Sequence, residues 1–408
     1  MGINIVKQKK LDLMALASIP LIMTLANSML IPVLPLMQKK LHISPLQSSL
    51  IITIYAAVSI FFIPIAGYLS DRFGRKLIII IGLSIAAIGG LVSGLGAWLL
   101  HNNVYMVILI GRLIQGIGAA GAFPIVIPLV GDMFDSKEEV SSSLGMIETS
   151  NTFGKVVSPI VGSALALVTW FLPLIVIPVI SVISLIAVIF LVKVPKPKNK
   201  ATQTVKQFIT SLKGVLKEKG SWLYTIFIVG GIVMFILFGF LYYLSSILED
   251  HYNIKGIWKG LLIAIPLSAI CLASFITGKI VGENKARMKW FTVCGIALLA
   301  TSMLVCGLVN TKSLVFLISF MFLGGTGIGL ALPSLDALIT EGTDKKQRGT
   351  ITSLYSSMRF IGVAAGPLIA SALLSKETLL FYIFAGGSIL CFFLSIFMIK
   401  PDKQQATG

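Results

Sequence analysis

The amino-acid sequence predicts an all-α membrane protein whose twelve transmembrane helices form two pseudo-symmetric six-helix bundles. Three observations support this fold class. First, 56% of the 408 residues are hydrophobic and only 12% are charged, about half the charged fraction of a soluble domain. Second, apolar runs of about 20 residues recur along the whole chain, and each is long enough to cross a bilayer. Third, the two halves of the chain share sequence.

The apolar runs give the predicted spans. They lack the alternation of apolar and polar residues seen in barrel strands, so we interpret them as helices. The break between the fifth and sixth spans, at residues 169–171, is weak. The predicted spans are 11–37, 45–70, 76–99, 104–133, 139–168, 171–193, 221–249, 258–282, 288–309, 313–341, 348–375 and 378–400.

The basic charge of the chain follows its membrane topology. The net charge is +17, and with both termini in the cytoplasm the Lys and Arg residues concentrate in cytoplasmic segments, as the positive-inside rule requires. We therefore expect a multi-pass protein of the bacterial plasma membrane, in contact with lipids, that is a monomer and does not bind nucleic acid. The four cysteines lack the spacing of metal ligands, so no metal site is expected.

A Lys-rich segment divides the spans into two sets of six. The predicted domains are an N-terminal bundle at 1–193, a cytoplasmic linker at 194–220 with a possible short surface helix at 203–218, and a C-terminal bundle at 221–408. The segment "GIGAAGAFP" in the first half matches "GTGIGLALP" in the second, and "SPIVGSAL" matches "GPLIASAL". Parallel repeats of this kind place the substrate between the halves, near the midplane of the membrane.

The segment "GYLSDRFGRK" connects the second and third spans. An ordinary basic loop would explain its cations, but not Gly67, Asp71 and Arg75 at this spacing. The segment resembles the signature of the major facilitator superfamily, and the resemblance extends over essentially the whole chain. It implies a rocker-switch carrier in which Gly67, Asp71, Arg72, Arg75 and Asp132 form a conformational latch in the outward-facing state. The second-half copy, "GKIVGENKARMK", lacks the Asp-Arg pair.

An arginine lies inside the fourth span, in "GRLIQGIGAA". Arg112 could extend its side chain to the membrane surface. However, the segment also resembles a superfamily motif that contains both Arg112 and Gln115. The resemblance implies that Arg112 helps proton transfer or steadies a nearby carboxylate, because charged residues within a membrane are usually functional.

The segment "GMIETSNTFGKVVSPIVG" in the fifth span carries both small residues and charges. It resembles the antiporter motif of the superfamily, in the twelve-helix drug:proton antiporter branch, and in particular Gram-positive multidrug exporters and some metallophore exporters. The resemblance implies export, with a helix hinge for which small residues and proline are suited. The predicted hinge residues are Gly154, Pro159, Gly162, Gly366 and Pro367.

Further polar residues within the spans complete the candidate site. The first span offers only Asn27 where many exporters of the family have an acidic residue. We therefore assign proton coupling to Glu148, Asp336 and Arg112, although Asp336 could also be an interfacial carboxylate. Phe235, Phe238 and Tyr242 are expected to face lipid. The predicted substrate-binding residues are Asn27, Tyr55, Gln115, Asn151, Lys155 and Arg359.

The leading functional hypothesis is a proton-coupled exporter of small amphipathic molecules or drugs, working by alternating access. It requires protons and a small-molecule substrate and no cofactor. The predicted cavity charge, with Arg112, Lys155 and Arg359 against two carboxylates, is +1, which favours zwitterionic or anionic cargo. The alternatives are an exporter of a zwitterionic or anionic metabolite, such as a metallophore, and a glycolipid flippase. A sensor lacks a signalling domain, and an enzyme is not expected because no catalytic motif appears.

Overall fold

We describe the protein from a computed structural model, in which residues 2–134, 137–194, 214, 220–282, 284–309, 313–342 and 345–400 are described. The regular structure in these ranges is helical. The predicted surface helix at 203–218 lies, except for residue 214, outside them. The helices are α1 (Gly2–Ser28), α2 (Leu34–Leu41), α3 (Pro45–Phe73), α4 (Arg75–Leu99), α5 (Val104–Met133), α6 (Lys137–Val168), α7 (Leu172–Leu191), α8 (Gly220–Asp250), α9 (Gly256–Val281), α10 (Lys285–Val309), α11 (Leu314–Gly342), α12 (Lys345–Ala372) and α13 (Glu377–Met398).

Eleven segments within the described ranges are long and apolar enough to cross a membrane. They correspond to the predicted spans with the exception of 348–375. That span matches α12, whose first half is rich in polar residues. The chain is a multi-pass membrane protein.

The helices form two bundles with equivalent internal packing. In the first bundle α4 packs against α5 and α7, and α1 packs against α6. In the second bundle α10 packs against α11 and α13, and α8 packs against α12, so each contact has its counterpart. Two pairs, α3 with α12 and α6 with α9, provide most of the contact between the bundles, and they too are related by the repeat.

Glycines allow two of these helix pairs to approach closely. A Cβ atom at Gly82 on α4 would lie 2.7 Å from the Gly118 carbonyl oxygen on α5. In the second bundle, a Cβ at Gly295 on α10 would collide with the Gly327 carbonyl oxygen on α11. Close backbone approach through small residues is a common means of packing membrane helices. The internal repeat is therefore a repeat of helix contacts as well as of sequence.

The first predicted span is not one continuous helix. Helix α1 ends at Ser28, a 3-10 turn covers Ile31–Val33, and α2 begins at Leu34. Pro32 lies at the start of the 3-10 turn and Pro35 at the start of α2. Proline has no N–H group and blocks the preceding turn of a helix, which explains the break. The prediction of a single helix over 11–37 is wrong in this respect.

A helix cap and a glycine turn mark the two opposite ends of α3. Ser44 caps α3 at one end, where its side chain accepts a hydrogen bond from Gln47 N. At the other end Gly74 separates α3 from α4 with φ of +105°, a conformation that favours glycine. We call these ends the Ser44 face and the Gly74 face. The predicted topology places the Gly74 face in the cytoplasm.

Several hydrogen bonds join the two bundles at the Ser44 face. Tyr242 on α8 donates to the Pro45 carbonyl oxygen at 2.8 Å, and Ser371 on α12 donates to Ser49 Oγ at 3.1 Å. A further interbundle hydrogen bond joins Ser357 of α12 to the carbonyl oxygen of Ile60, at the middle of α3. The Ser44 face is therefore closed.

The aromatic residues of α8 do not face lipid as the sequence led us to expect. Phe238 is 6% exposed and Tyr242 is 1% exposed. Phe235 packs edge to face against Phe384, with 5.5 Å between ring centroids. The prediction was wrong because helical spacing alone does not distinguish a lipid-facing stripe from one that packs against another helix.

Candidate transport site

A polar centre around Arg112 lies inside the first bundle. The Arg112 side chain is fully buried. It donates from Nη2 to Asn27 Oδ1 at 2.6 Å, from Nη1 to Gln115 Oε1 at 2.5 Å and from Nε to the carbonyl oxygen of Ile51 at 2.9 Å. Its guanidinium carbon lies 4.4 Å from the centre of the Tyr55 ring. We call Arg112, Asn27, Gln115, Tyr55 and the Ile51 carbonyl the Arg112 centre.

The partners of Arg112 are uncharged. The expectation that it steadies a carboxylate is not met in the part of the chain that the structure describes, because the described groups in contact with it are two amides, one carbonyl and one aromatic ring. A side chain reaching the membrane surface is excluded by its complete burial. Three predicted substrate-binding residues, Asn27, Tyr55 and Gln115, contact Arg112 instead of an open cavity.

The Arg112 centre nevertheless borders the second bundle. The ring of Tyr55 lies 6.4 Å from the ring of Phe360 on α12, measured between centroids. One aromatic ring therefore separates the Arg112 guanidinium from the interface between the bundles. Contact of Asn27, Tyr55 and Gln115 with a substrate remains a prediction.

A second polar group lies between the bundles, and α6 contributes its first part. Asn151 donates from Nδ2 to both oxygens of Glu148, at 3.1 and 3.3 Å. Thr24 of α1 donates to Asn151 Oδ1 at 2.6 Å, which fixes the orientation of the amide. Asn151 is buried, whereas Glu148 is half-buried. The carboxylate of Glu148 is thus held in place while remaining accessible.

The second bundle contributes an ion pair to this group. Arg359 on α12 donates from Nη1 to Asp336 Oδ1 on α11 at 3.2 Å, and its guanidinium lies 5.5 Å from the ring of Tyr355. The Asp336 side chain is 33% exposed and that of Arg359 is 17% exposed. Asp336 therefore pairs with a cation inside the protein, which does not fit the alternative of a simple interfacial carboxylate.

Lys155 lies between these two parts. It is 7% exposed and, among the described residues, forms no direct ion pair or hydrogen bond through its amine. It interacts electrostatically with Glu148 and Asp336, which attract it, and with Arg359, which repels it. We call Glu148, Asn151, Lys155, Asp336 and Arg359 the interbundle cluster. Lys155 is its buried cation without a bound acceptor.

The charge balance of the cluster differs from the sequence-based estimate. Arg112 is enclosed in the first bundle and does not belong to the cluster. The two cations Lys155 and Arg359 then face the two carboxylates Glu148 and Asp336, so the formal charges cancel. The predicted net charge of +1 is corrected to zero. The predicted preference for an anion would then have to come from Lys155, whose amine has no acceptor among the described residues.

The predicted hinge residues lie at tight helix contacts. A Cβ at Gly154 would lie 3.0 Å from the Leu21 carbonyl oxygen of α1, and one at Gly162 would collide with the Met29 carbonyl oxygen. In the second bundle, a Cβ at Gly366 would lie 2.5 Å from the Phe235 carbonyl oxygen of α8. Pro159 and Pro367 are interior to α6 and α12. A bending motion at these residues remains a prediction.

The predicted latch residues lie at the Gly74 face. Arg75 pairs from Nη2 with Asp71 Oδ1 at 3.4 Å and from Nε with Asp132 Oδ2 at 3.1 Å. Arg72 is exposed, and its guanidinium lies 5.4 Å from the ring of Phe73. Gly67 lies close to α12, since a Cβ there would be 3.0 Å from Ser353 Oγ. The ion pairs thus join helices of one bundle, and Arg72 is not part of them.

The chain resembles known proteins both in sequence and in fold. The family model described as Major Facilitator Superfamily matches residues 16–367 and 286–408. The chain belongs to this superfamily. It is 51% identical to the bacillibactin exporter of Bacillus subtilis (strain 168), with 97% of this chain and 98% of that protein covered. It is 24% identical to multidrug resistance protein 2 of the same organism, covering 98% of both.

The fold is also shared with a solved structure. The structure of the human organic anion transporter MFSD10 (TETRAN) superposes on this chain with a TM-score of 0.76 at 17% identity. The superposition covers 95% of this chain and 99% of that one. The resemblance inferred from the Asp-Arg motif is thereby confirmed, as is the fold of two six-helix bundles.

Two buried charged residues were missed by the sequence analysis. Glu249 is the last residue of the seventh predicted span and Lys259 is the second residue of the eighth, so both lie next to an outer loop and neither was among the candidate site residues. In the structure both are buried, and Lys259 Nζ lies 2.9 Å from Glu249 Oε2. Their opposite charges at the two ends of one short connection were a signal that could have identified them as a pair.

Proposed function

We propose that this chain exports a siderophore in exchange for protons. The observation that carries the proposal is the 51% identity to the bacillibactin exporter over nearly the full length of both proteins. The site agrees with that cargo, because a buried Lys155 without an acceptor suits a ligand that carries an anionic oxygen. A pocket for lipophilic cations would not be expected to place an unpaired cation there.

We infer a transport cycle from the closed Ser44 face and the predicted topology. With the termini in the cytoplasm, the closed Ser44 face is external, and the interbundle cluster is reached from the cytoplasmic side. Cargo would enter from that side and bind Lys155, while Glu148 has released its proton. After the bundles rock, Glu148 takes a proton from outside and cargo leaves. Asp336 and Arg359 would hold the opposite wall of the cavity.

The proposal is tested by transport into inside-out vesicles of the bacterial membrane. We expect vesicles containing the protein to accumulate bacillibactin when their interior is acidic. This accumulation should stop when the pH gradient is dissipated. Ethidium and a labelled glycolipid serve as alternative cargoes. Accumulation of ethidium but not bacillibactin would favour a multidrug exporter, and glycolipid translocation would favour a flippase.

Proton coupling is tested by comparing substitutions at two carboxylates of α6. Glu148→Gln should reduce gradient-driven bacillibactin uptake to background, because a neutral amide cannot bind and release a proton as a carboxylate does. Glu139→Gln is the matched control, since Glu139 lies on the same helix but is exposed and pairs with Lys9 at 3.2 Å. Normal gradient-driven uptake by the Glu148 variant would remove Glu148 from the mechanism without affecting the assignment of the cargo.

A further inference from the structure

A buried ion pair lies at the closed Ser44 face. Lys259 on α9 is 2% exposed and Glu249 on α8 is 6% exposed. Lys259 Nζ lies 2.9 Å from Glu249 Oε2. Burying two charges costs several kcal/mol for each ion, and the pair is tolerated only where further hydrogen bonds satisfy both partners.

Those further hydrogen bonds come from the first bundle. Lys259 Nζ donates to the Pro32 carbonyl oxygen at 2.7 Å, and Ser245 Oγ of α8 donates to the Ile31 carbonyl oxygen at 2.8 Å. Both carbonyls belong to the turn that interrupts the first span, where backbone acceptors are not all used within a helix. The second bundle thus donates hydrogen bonds to two carbonyl oxygens of the turn that breaks the first span.

The carboxylate of the pair is also shared between the bundles. Lys39 at the end of α2 pairs with Glu249 Oε1 at 3.0 Å and with Asp250 at 3.2 Å. The Lys39 side chain is 52% exposed, so its ion pair with Glu249 lies on the solvent side of this group of charges. Glu249 is therefore held by one lysine from each bundle. If the bundles separate here, the contacts of Lys39 with Glu249 and of Lys259 with the Pro32 carbonyl oxygen must break, whereas the pair of Lys259 with Glu249 lies within the second bundle.

The same contacts adjoin the predicted hinge. On α9, a Cβ at Gly260 would lie 2.5 Å from the Pro159 carbonyl oxygen of α6. Gly162 of α6 fits closely against the Met29 carbonyl oxygen, just before the broken turn. Lys259 and α6 therefore enclose the break in the first span from two sides.

We propose that Lys39, Glu249 and Lys259 form an interbundle charge lock that keeps the Ser44 face closed, with Lys259 as its central residue. The lock goes beyond the proposed function, because it concerns the opening of one face and not the cargo or the coupling ion. In the closed state Lys259 depends on Glu249 for charge compensation. In the open state water solvates both groups, so each can exist without the other.

This dependence gives an ordered set of expectations. Glu249→Gln leaves Lys259 buried without a counter-charge only while the face is closed, so it should favour opening most. Lys259→Met leaves Glu249 paired with Lys39 and should favour opening less. The double variant removes both buried charges and should close the face again relative to Glu249→Gln alone, since partners in one ion pair are not additive.

The experiment measures labelling of a cysteine that the closed face protects. Ser49 is fully buried and contacts Ser371 of the second bundle. Ser49→Cys, with Cys271, Cys294, Cys306 and Cys391 replaced by serine, is placed in lipid nanodiscs and treated with a bulky maleimide. We expect Glu249→Gln to accelerate labelling about tenfold or more, and Lys255→Met, an exposed lysine of the same face, to leave the rate unchanged.

Several outcomes would overturn the lock. Labelling of Glu249→Gln at the parent rate would do so, as would a double variant whose acceleration equals the product of the two single ones. Should Glu249→Gln not reach the membrane, Lys259→Gln replaces it, because it retains a donor for Pro32 but has no charge; labelling at the parent rate would then refute the role of charge. These rates do not depend on cargo, so they stand whether or not bacillibactin is transported.

Discussion

The two polar groups of this transporter solve the problem of a buried charge in opposite ways. The Arg112 centre belongs to one bundle and is sealed from solvent, and the acceptors that the structure describes around its cation are all uncharged. The interbundle cluster is shared by both bundles, is partly accessible and contains two carboxylates for two cations. A sealed cation without a counter-charge is the more costly arrangement. Its presence therefore indicates a requirement other than stability.

The internal repeat supplies a direct comparison for Arg112. The alignment of "GIGAAGAFP" with "GTGIGLALP" places Met321 at the equivalent position of α11, and Met321 is also fully buried. The second bundle thus packs the same location with an apolar side chain of similar length. A methionine at this depth is compatible with the fold.

The largest effect is expected from Arg112→Met. Transport of bacillibactin should fall to background, while the free energy of unfolding changes by no more than about 2 kcal/mol. Removing the buried charge relieves a desolvation cost, and this offsets the loss of a donor for Asn27 and Gln115, about 1–3 kcal/mol each. The measurements are vesicle uptake and thermal unfolding in detergent, with Met321→Leu as the control for repacking.

One result would reverse this interpretation. If Arg112→Met unfolds easily and Arg112→Met/Asn27→Leu regains both stability and transport, then Arg112 serves only to satisfy its neighbours. In that case the first bundle would contain a structural arginine, and the comparison with the interbundle cluster would reduce to a difference in packing.

The next effect is expected from Lys155→Met in the interbundle cluster. Loss of a charge-assisted hydrogen bond to the cargo should raise KM for bacillibactin about tenfold or more. Uptake of ethidium, if measurable, should not decrease. Lys376→Met is the control, because Lys376 is exposed and lies at the Ser44 face. An unchanged KM would mean that Lys155 does not contact the cargo.

The sequence predicted the fold much better than it predicted the site. Hydropathy and the repeat fix helix number and pairing, because lipid leaves the backbone few alternatives. Contacts that depend on which way a side chain points were less predictable. Arg112 and Lys155 are both intramembrane cations in the sequence, and only the structure shows that one is sealed with amides and the other lies between the bundles. Lys259 was missed because it is the second residue of its predicted span, next to an outer loop, where the sequence does not show that it is buried.

A smaller effect is expected from the ion pair of the second bundle. Asp336→Asn and Arg359→Gln should each slow transport, and the double variant should be no slower than the slower single variant. The coupling free energy expected for such a contact is about 1–2 kcal/mol, within the range seen for interacting residues. The double-mutant cycle is measured on kcat/KM. Additive losses would show that the two groups act separately, with Asp336 available for protons.

The smallest effect is expected from the charges at the Gly74 face, where the comparison extends to exposed groups. Asp132 pairs with Arg75 at 3.1 Å, but its side chain is 55% exposed. Exposed ion pairs contribute about 0.2–1 kcal/mol. Asp132→Asn should therefore lower the free energy of unfolding by less than about 1 kcal/mol, and the difference should disappear between about 0.05 and 0.5 M salt because the charges are screened.

The second bundle provides the control for this last prediction, because it has no Asp-Arg pair at the equivalent turn. There Asn284 caps α10, accepting hydrogen bonds from Ala286 N at 3.0 Å and Arg287 N at 3.1 Å. Both bundles share a lysine that donates to the end of the last helix, Lys76 to the Val192 carbonyl oxygen and Lys289 to that of Ile396. Asn284→Ala should thus destabilise by a similar amount but without salt dependence, since no charge is lost. A loss for Asp132→Asn that exceeds about 2 kcal/mol and persists in high salt would place its carboxylate with the buried charges and not with the exposed ones.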